Sequence, residues 1–222
     1  MTFSLTLVII VATCIVSFIG FSNRDLINKL IFYPPAIKQN KEWFRFFSHG
    51  LIHADIGHLF FNMFALYSFG NVIEQIFGAL FGSAGGGIVY LFFYISALAI
   101  SSIPTYVKNQ NNSAYMSLGA SGAVSSIVFA FMVLAPTQKI GILFLPFGIP
   151  AFIFGFLYMA LSAYLDKKGT GNINHSAHLF GALYGIVFII IACLAVHYPV
   201  LANFIAQIKD YISPAKATNP FG

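Results

Sequence analysis

The chain has 222 residues, of which 59% are apolar, 17% aromatic and only 8% charged, with a formal net charge of +5. A soluble domain carries about 25% charged residues, so this chain cannot clothe a water-facing surface, and its long apolar runs indicate a polytopic membrane protein. The eleven Lys and Arg are dispersed, with no basic cluster interleaved with aromatics, which argues against nucleic-acid binding.

A membrane-spanning helix needs about 20 apolar residues. Residues 3–21 supply the first span, read as a retained helix because no basic segment precedes it and further spans follow. Residues 22–52 form the longest polar interruption, with Pro34-Pro35 and scattered aromatics (Phe32, Tyr33, Trp43, Phe44, Phe46, Phe47); such a segment is expected to lie at the bilayer interface. The second span covers about 56–77 and the third about 86–103, followed by a polar loop over 104–118. The fourth covers about 120–135, the fifth about 145–164 and the sixth about 176–197. A Gly- and Asn-rich loop from Asp166 to Asn174 separates the last two, and a polar tail, 198–222, closes the chain. The expected fold is an all-α polytopic bundle of six transmembrane helices over 1–197, with an interfacial first loop. Cys14 and Cys193 lie inside apolar runs and read as buried or lipid-facing thiols.

Six spans make the even-numbered ones enter from one face. Their first turns then lie at similar depth, at about 1.5 Å per residue. Polar groups inside a span are expensive and commonly functional. The second span carries His58 and Asn62 at i, i+4, the fourth carries Ser121, and the sixth carries His178. One cavity near one surface can hold all four. Ser121 follows Gly119-Ala120 and opens an apolar segment, so it sits where a helix presents free backbone N–H groups, a ready anion site. Gly-x-Ser-Gly alone is a weak signal, and by itself it fits a Ser cap with glycines for close packing better. His178, Gly181 and Gly185 share one face of the sixth span, while Gly122 and Ser126 form a small face on the fourth. Two smooth faces of this kind can meet and bring an imidazole to a hydroxyl.

The six acidic residues include none early in the fourth or sixth span, so a Ser–His dyad fits better than a triad; Asp55 reads as a helix start. His49, His53, His58 and Asp55 are dense in metal-ligand types, but there is no His-Glu-x-x-His pattern and no second ligand cluster, so no metal and no cofactor are expected.

At these residues the chain resembles the rhomboid intramembrane serine proteases. The matching pieces are Gly119-Ala120-Ser121-Gly122, His53 with His58-x-x-x-Asn62, Ala177-His178-x-x-Gly181-x-x-x-Gly185, and Arg45-Phe46-Phe47-Ser48-His49 in the first loop. The resemblance implies Ser121 as nucleophile and His178 as general base. It also implies an oxyanion site from the Ser121 N–H, His58 and Asn62, with Gly119 allowing the tight loop before the fourth span. It implies cleavage of transmembrane helices of other proteins near the bilayer surface, contact with membrane lipids, and a place in a cell membrane, the bacterial inner membrane. The fifth span, with Phe147, Phe152, Phe154, Phe156 and Tyr158, would be the wall a substrate passes, and the Gly169–Gly171 loop a lid.

Two features depart from that family. Many members carry an aromatic four residues after the nucleophile, stacked on the histidine; here the position is Ser125, so either another ring substitutes or His178 is held differently. The family's six-helix form has a cytoplasmic N-terminus, yet the first loop then outside holds Arg24, Lys29, Lys38, Lys41 and Arg45, five of the eleven basic residues. Charge alone would invert the protein; an interface-embedded loop is not a translocated one, and the family orientation is kept. The alternatives are a catalytically silent rhomboid-like protein that binds membrane clients, and a small transporter. The latter wants polar groups near the midplane and repeated halves, which this sequence lacks.

Overall fold

The computed structural model describes residues 4–141, 148–168 and 174–213. Among the described residues, four helical stretches are long and apolar enough to cross a membrane. The first is α1 (Leu5–Ser22). The second runs from Ile56 to Phe81 as α5 (Ile56–Ala65), a π turn at Leu66–Gly70, and α6 (Asn71–Phe81). The third is α7 (Ser83–Asn109) and the fourth α10 (His175–Ala195). Between α1 and α5 lie three short helices, α2 (Arg24–Leu30), α3 (Pro34–Asn40) and α4 (Arg45–Ser48). Between α7 and α10 lie α8 (Ser121–Leu134), the antiparallel strands β1 (Lys139–Gly141) and β2 (Gly148–Pro150), and α9 (Ala151–Lys168). An amphipathic α11 (Val200–Ile212) follows.

Four helices, α1, α2, α5 and α10, start at side-chain caps. Asp55 Oδ1 accepts the His58 N–H at 2.7 Å and opens α5. Asn174 Oδ1 opens α10 by accepting the Ala177 N–H at 3.0 Å, and the Thr105 hydroxyl donates to the same oxygen at 3.0 Å, which ties the start of α10 to α7. At the other end of the bundle, Glu74 accepts from the Leu5 N–H at 2.7 Å and from the Thr6 N–H at 3.0 Å, a carboxylate on the positive end of α1.

The core is built around α8. Ten of its fourteen residues are buried, among them Ile127, Phe129 and Ala130. Its tightest neighbour is α10. A Cβ on Gly181 would overlap the Gly122 carbonyl, and one on Gly185 would overlap the Ser126 carbonyl, so the two backbones touch. The Ser126 hydroxyl donates to the Gly181 carbonyl at 2.8 Å across that seam. On another side, a Cβ on Gly122 would overlap Ser101 of α7. The small faces read from the sequence are thus the faces that meet.

The short helices of the first loop hold the turn that leads into α8. Phe32 and Ser117 exchange backbone hydrogen bonds of 2.9 and 3.1 Å. The Gly119 N–H donates to the His49 carbonyl at 2.9 Å, and His49 Nδ1 donates back to the Gly119 carbonyl at 3.2 Å. The Ala120 N–H donates to His53 Nε2 at 3.4 Å, so His53 carries its proton on Nδ1 and gives it to Ser17 Oγ at 3.0 Å. The loop itself is tied by Arg45, buried, whose guanidinium donates to the Asn28 and Ile31 carbonyls at 2.9 and 2.7 Å and pairs with Glu42. That pairing holds the Glu42 carboxyl below its ordinary range. Trp43 and Phe46 stack on each other and meet Tyr106 of α7 at steep angles, which packs the loop onto that helix.

Several boundaries differ from the sequence reading. The third helix continues to Asn109, through Pro104 and six residues into the expected loop, because Thr105 and Asn109 are buried and satisfied against their neighbours. The fifth helix begins at Ala151, not near 145, because residues 148–150 pair as β2 with β1. The expected polar tail contains α11, whose Gln207 donates to the Leu134 carbonyl at 3.2 Å and whose Tyr211 lies edge-on to Phe152. Phe147, the Gly169–Gly171 lid and the tail beyond 213 lie outside the described residues.

Overpacking a core contact costs about 1–3 kcal/mol, whereas Gly to Ala at an open helical site gains up to about 1 kcal/mol. Gly185→Ala is therefore expected to lower the unfolding temperature in detergent, and Gly78→Ala, where a Cβ meets nothing within 4 Å, to raise it slightly. Equal stability of Gly185→Ala and the wild type would rule out the seam as a close contact. Burial holds the His49 ring down to about 4 and, helped by the charges of His58 and His49, the His53 ring to about 3. Both rings stay neutral in the fold while the unfolded chain takes up protons near 6.5, so stability is full above that pH and is lost as pH falls from about 6.5 towards 4. Each ring contributes up to about 1.4 kcal/mol per pH unit across that window. An unfolding temperature that stays flat from pH 7 to 4 would contradict this account.

Candidate active site

The α8 helix is short. Fourteen residues rise about 21 Å, against a hydrocarbon core of about 30 Å, so a helix that reaches one boundary starts well below the other. Ser121 is its first residue. Gly119, just before it, has φ of +115°, a conformation suited to glycine, and a Cβ there would lie 2.7 Å from His58 Cε1. The Gly119 and Ala120 N–H groups are taken by His49 and His53, while the Ser121 N–H has no partner among the described residues. It is one of the orphan donors of a helix N-terminus, where the backbone favours negative charge.

A cavity of about 560 Å³ opens beside it, lined by Ser121 and Ser125 of α8, His178 of α10, His58 and Asn62 of α5, and Tyr158 of α9. It extends past Phe64, Phe69, Val128 and Ile140 and is mostly apolar. Its α5 wall includes Phe61 and Phe64, both exposed. The four polar residues expected in one cavity line this one, and Gly119 lies against His58 at its edge.

Within the cavity the polar groups are only partly engaged. The Asn62 amide donates to the His58 carbonyl at 2.9 Å, one turn back on its own helix. The His58 ring is edge-on to His53 with centroids 5.0 Å apart, which links the cavity wall to the loop that holds Ala120. Ser121 and His178 make no direct hydrogen bond among the described residues, and no carboxylate bonds to His178. Asp55, the nearest acidic residue in sequence to His58, is committed to capping α5.

The structure also answers the question raised by Ser125. The Tyr158 ring lies nearly parallel to the His178 ring, with centroids 6.2 Å apart and planes inclined by 25°. Its hydroxyl and that of Ser125 are 2.7 Å apart and hydrogen-bonded. A ring does cover His178, and it comes from α9. The sequence reading placed Tyr158 among the wall residues of the fifth span but not on the histidine. A small polar residue where an aromatic is usual, with a Tyr in the neighbouring span, was the available signal. His175, one turn before His178 and edge-on to it at 6.0 Å, was not singled out.

Comparison with known proteins adds to the geometry. A Rhomboid domain profile matches residues 40–195. RHOMBOID-like protein 12, mitochondrial, of Arabidopsis thaliana is 34% identical over 140 residues, which cover 59% of this chain and 40% of that protein. The putative rhomboid protease YdcA of Bacillus subtilis (strain 168) is 31% identical over 150 residues, 67% of this chain and 66% of that one. The presenilin-associated rhomboid-like protein, mitochondrial, of Mus musculus is 33% identical over 144 residues, 62% of this chain and 35% of that one. The shared stretch is thus less than half the length of the two mitochondrial relatives. The profile spans the loop from Asn40, the helices α5 to α10 and every residue that lines the cavity, and the chain, a multi-pass membrane protein, belongs to the rhomboid family.

Proposed function

We propose that the protein is an intramembrane serine endopeptidase that cuts transmembrane segments of other membrane proteins near the bilayer surface. The observation that carries this reading is the convergence of Ser121, at the free N-terminus of a sunken helix, with His178, in the first turn of the helix locked against it, on one cavity. In this reading residues 1–197 cross the membrane six times as the catalytic domain, with α8 and α9 completing the four longer spans, and the first loop lies in the interface. The membrane in this reading is a bacterial cell membrane; among the relatives, the Bacillus protein is the one the match covers over 66% of its length.

The chemistry follows from the positions. His178 takes the proton of the Ser121 hydroxyl as Oγ attacks the scissile carbonyl, and returns it to the leaving amine; water then repeats the sequence on the acyl-enzyme. Direct contact between the two side chains forms on substrate binding, as is common for acid–base pairs that are loose in the unliganded state. The oxyanion forms beside the Ser121 N–H, which has no partner among the described residues, and His58 and Asn62 turn toward it from α5. Gly119 keeps that turn tight, and His49 and His53 use up the preceding amides, so the donors left over point at the reacting carbonyl. A helical substrate must unwind before attack, because its own turns shield each peptide carbonyl; the apolar extension between α5 and α9 can receive the part that stays helical.

In liposomes with a model single-span substrate, Ser121→Ala and His178→Ala are each expected to reduce cleavage to background while the protein stays folded. A serine-directed phosphonate is expected to label the wild type and not Ser121→Ala. Unaltered turnover in either variant removes the protease reading. A folded wild type that is never labelled and never cuts favours the silent client-binding protein. Loss of one oxyanion donor costs about 10²–10³ in kcat, so Asn62→Ala and His58→Ala are expected to lower kcat by about that factor with KM little changed. A rise in KM alone would assign them to substrate binding.

A further inference from the structure

The helix that carries the ring over His178 is also the least embedded helix around the cavity. Only Ala151, Gly155 and Ser162 of the eighteen residues of α9 are buried, against ten of fourteen in α8. Phe156, Leu157 and Leu161 on α9 are exposed. Near the cavity α9 is held to α8 by Gly155, where a Cβ would overlap Met132, by Tyr158 against Phe129 at 5.5 Å, and by the Tyr158–Ser125 hydrogen bond. That hydrogen bond joins the helix bearing Ser121, one turn after it, to the ring that lies on His178.

Resting on the protease reading above, we propose that Tyr158 is the positioning residue for His178, and that the Tyr158–Ser125 hydrogen bond makes the orientation of the base depend on α9 being docked on α8. An imidazole with no carboxylate partner, as His178 has none among the described residues, can turn about its side-chain bonds, and a ring packed parallel to it removes that freedom. The same face of Tyr158 meets the imidazolium that forms when His178 takes the serine proton, and an aromatic face attracts a cation. Ser125 is small enough to leave the space that Tyr158 fills, and its hydroxyl fixes how far Tyr158 enters.

The test is a ring relocation read by kinetics in the full chain. Tyr158→Leu is expected to lower kcat on the order of 10²-fold, as for a reacting group displaced by about an ångström, with KM changed less than about twofold. The double variant Ser125→Tyr with Tyr158→Leu, which supplies the ring from α8 in place of α9, is expected to recover at least about tenfold of that loss. Tyr158→Phe and Ser125→Ala each remove the same hydrogen bond. Each is expected to give a smaller loss in kcat, and their combination no more than either alone, since one interaction is being deleted twice. Tyr158→Leu with wild-type kcat overturns the proposal, as does a folded double variant that recovers nothing, or strictly additive losses for Tyr158→Phe and Ser125→Ala. Should Tyr158→Leu fail to fold, Tyr158→Phe and Ser125→Ala decide by their additivity. A wild type that neither cleaves nor labels at Ser121 overturns the protease reading itself and is told apart by that.

Discussion

The contact on which the rest depends is the one between the backbones of α8 and α10. Gly181 lies on the Gly122 carbonyl and Gly185 on the Ser126 carbonyl, with the Ser126 hydroxyl bonded across to Gly181. In a membrane there is no hydrophobic drive to push two helices together, so association depends on close van der Waals fit and on hydrogen bonds between helices. Glycine at these positions lets the axes approach as far as main-chain atoms allow. Because His178 stands one turn before Gly181 and Ser121 one residue before Gly122, the same contact that stabilises the pair also brings the two side chains to one cavity.

That seam would place Ser121 at the right depth but would not hold the chain that precedes it. The first loop does so. Gly119, at φ of +115°, and Ala120 are hydrogen-bonded to His49 and His53, and Ser117 pairs with Phe32. Buried neutral rings are a demanding way to pin a turn, since protonation of either leaves a charge with little water around it. Their benefit is that they accept and donate in directions that no apolar side chain can. The rings of His49 and His53, from a stretch dense in metal-ligand residue types, are here hydrogen-bonded to backbone groups of the turn.

The aromatic over His178 shows how a local requirement can be met from another helix. A stacked ring next to the imidazole needs only a position within reach, and the space left by Ser125 admits one from α9. The requirement is geometric; the supplier is set by packing. With the ring on α9, the orientation of the histidine is tied to a helix that buries little of its surface, and the seam between α8 and α10 cannot by itself settle the site.

Much of the arrangement was legible from the residues alone. Composition and run length exposed the apolar helices, and the spacing of His58 with Asn62 and of His178 with Gly181 and Gly185 fixed which residues share a face. Entry of the even-numbered spans from one side was the reason to expect the polar groups in one cavity, and His58, Asn62, Ser121 and His178 do line one. These are local or one-dimensional properties, set by helical period and by the thickness of the bilayer. Only the folded chain decided that α7 continues through Pro104, that residues 148–150 pair as a strand, that α11 packs beneath α8, that His49 and His53 hold the turn before Ser121, and that Tyr158 covers His178. Each of these depends on how helices are rotated about their axes and how far apart they stand, which is set by the fit of many distant side chains at once and leaves no period to read.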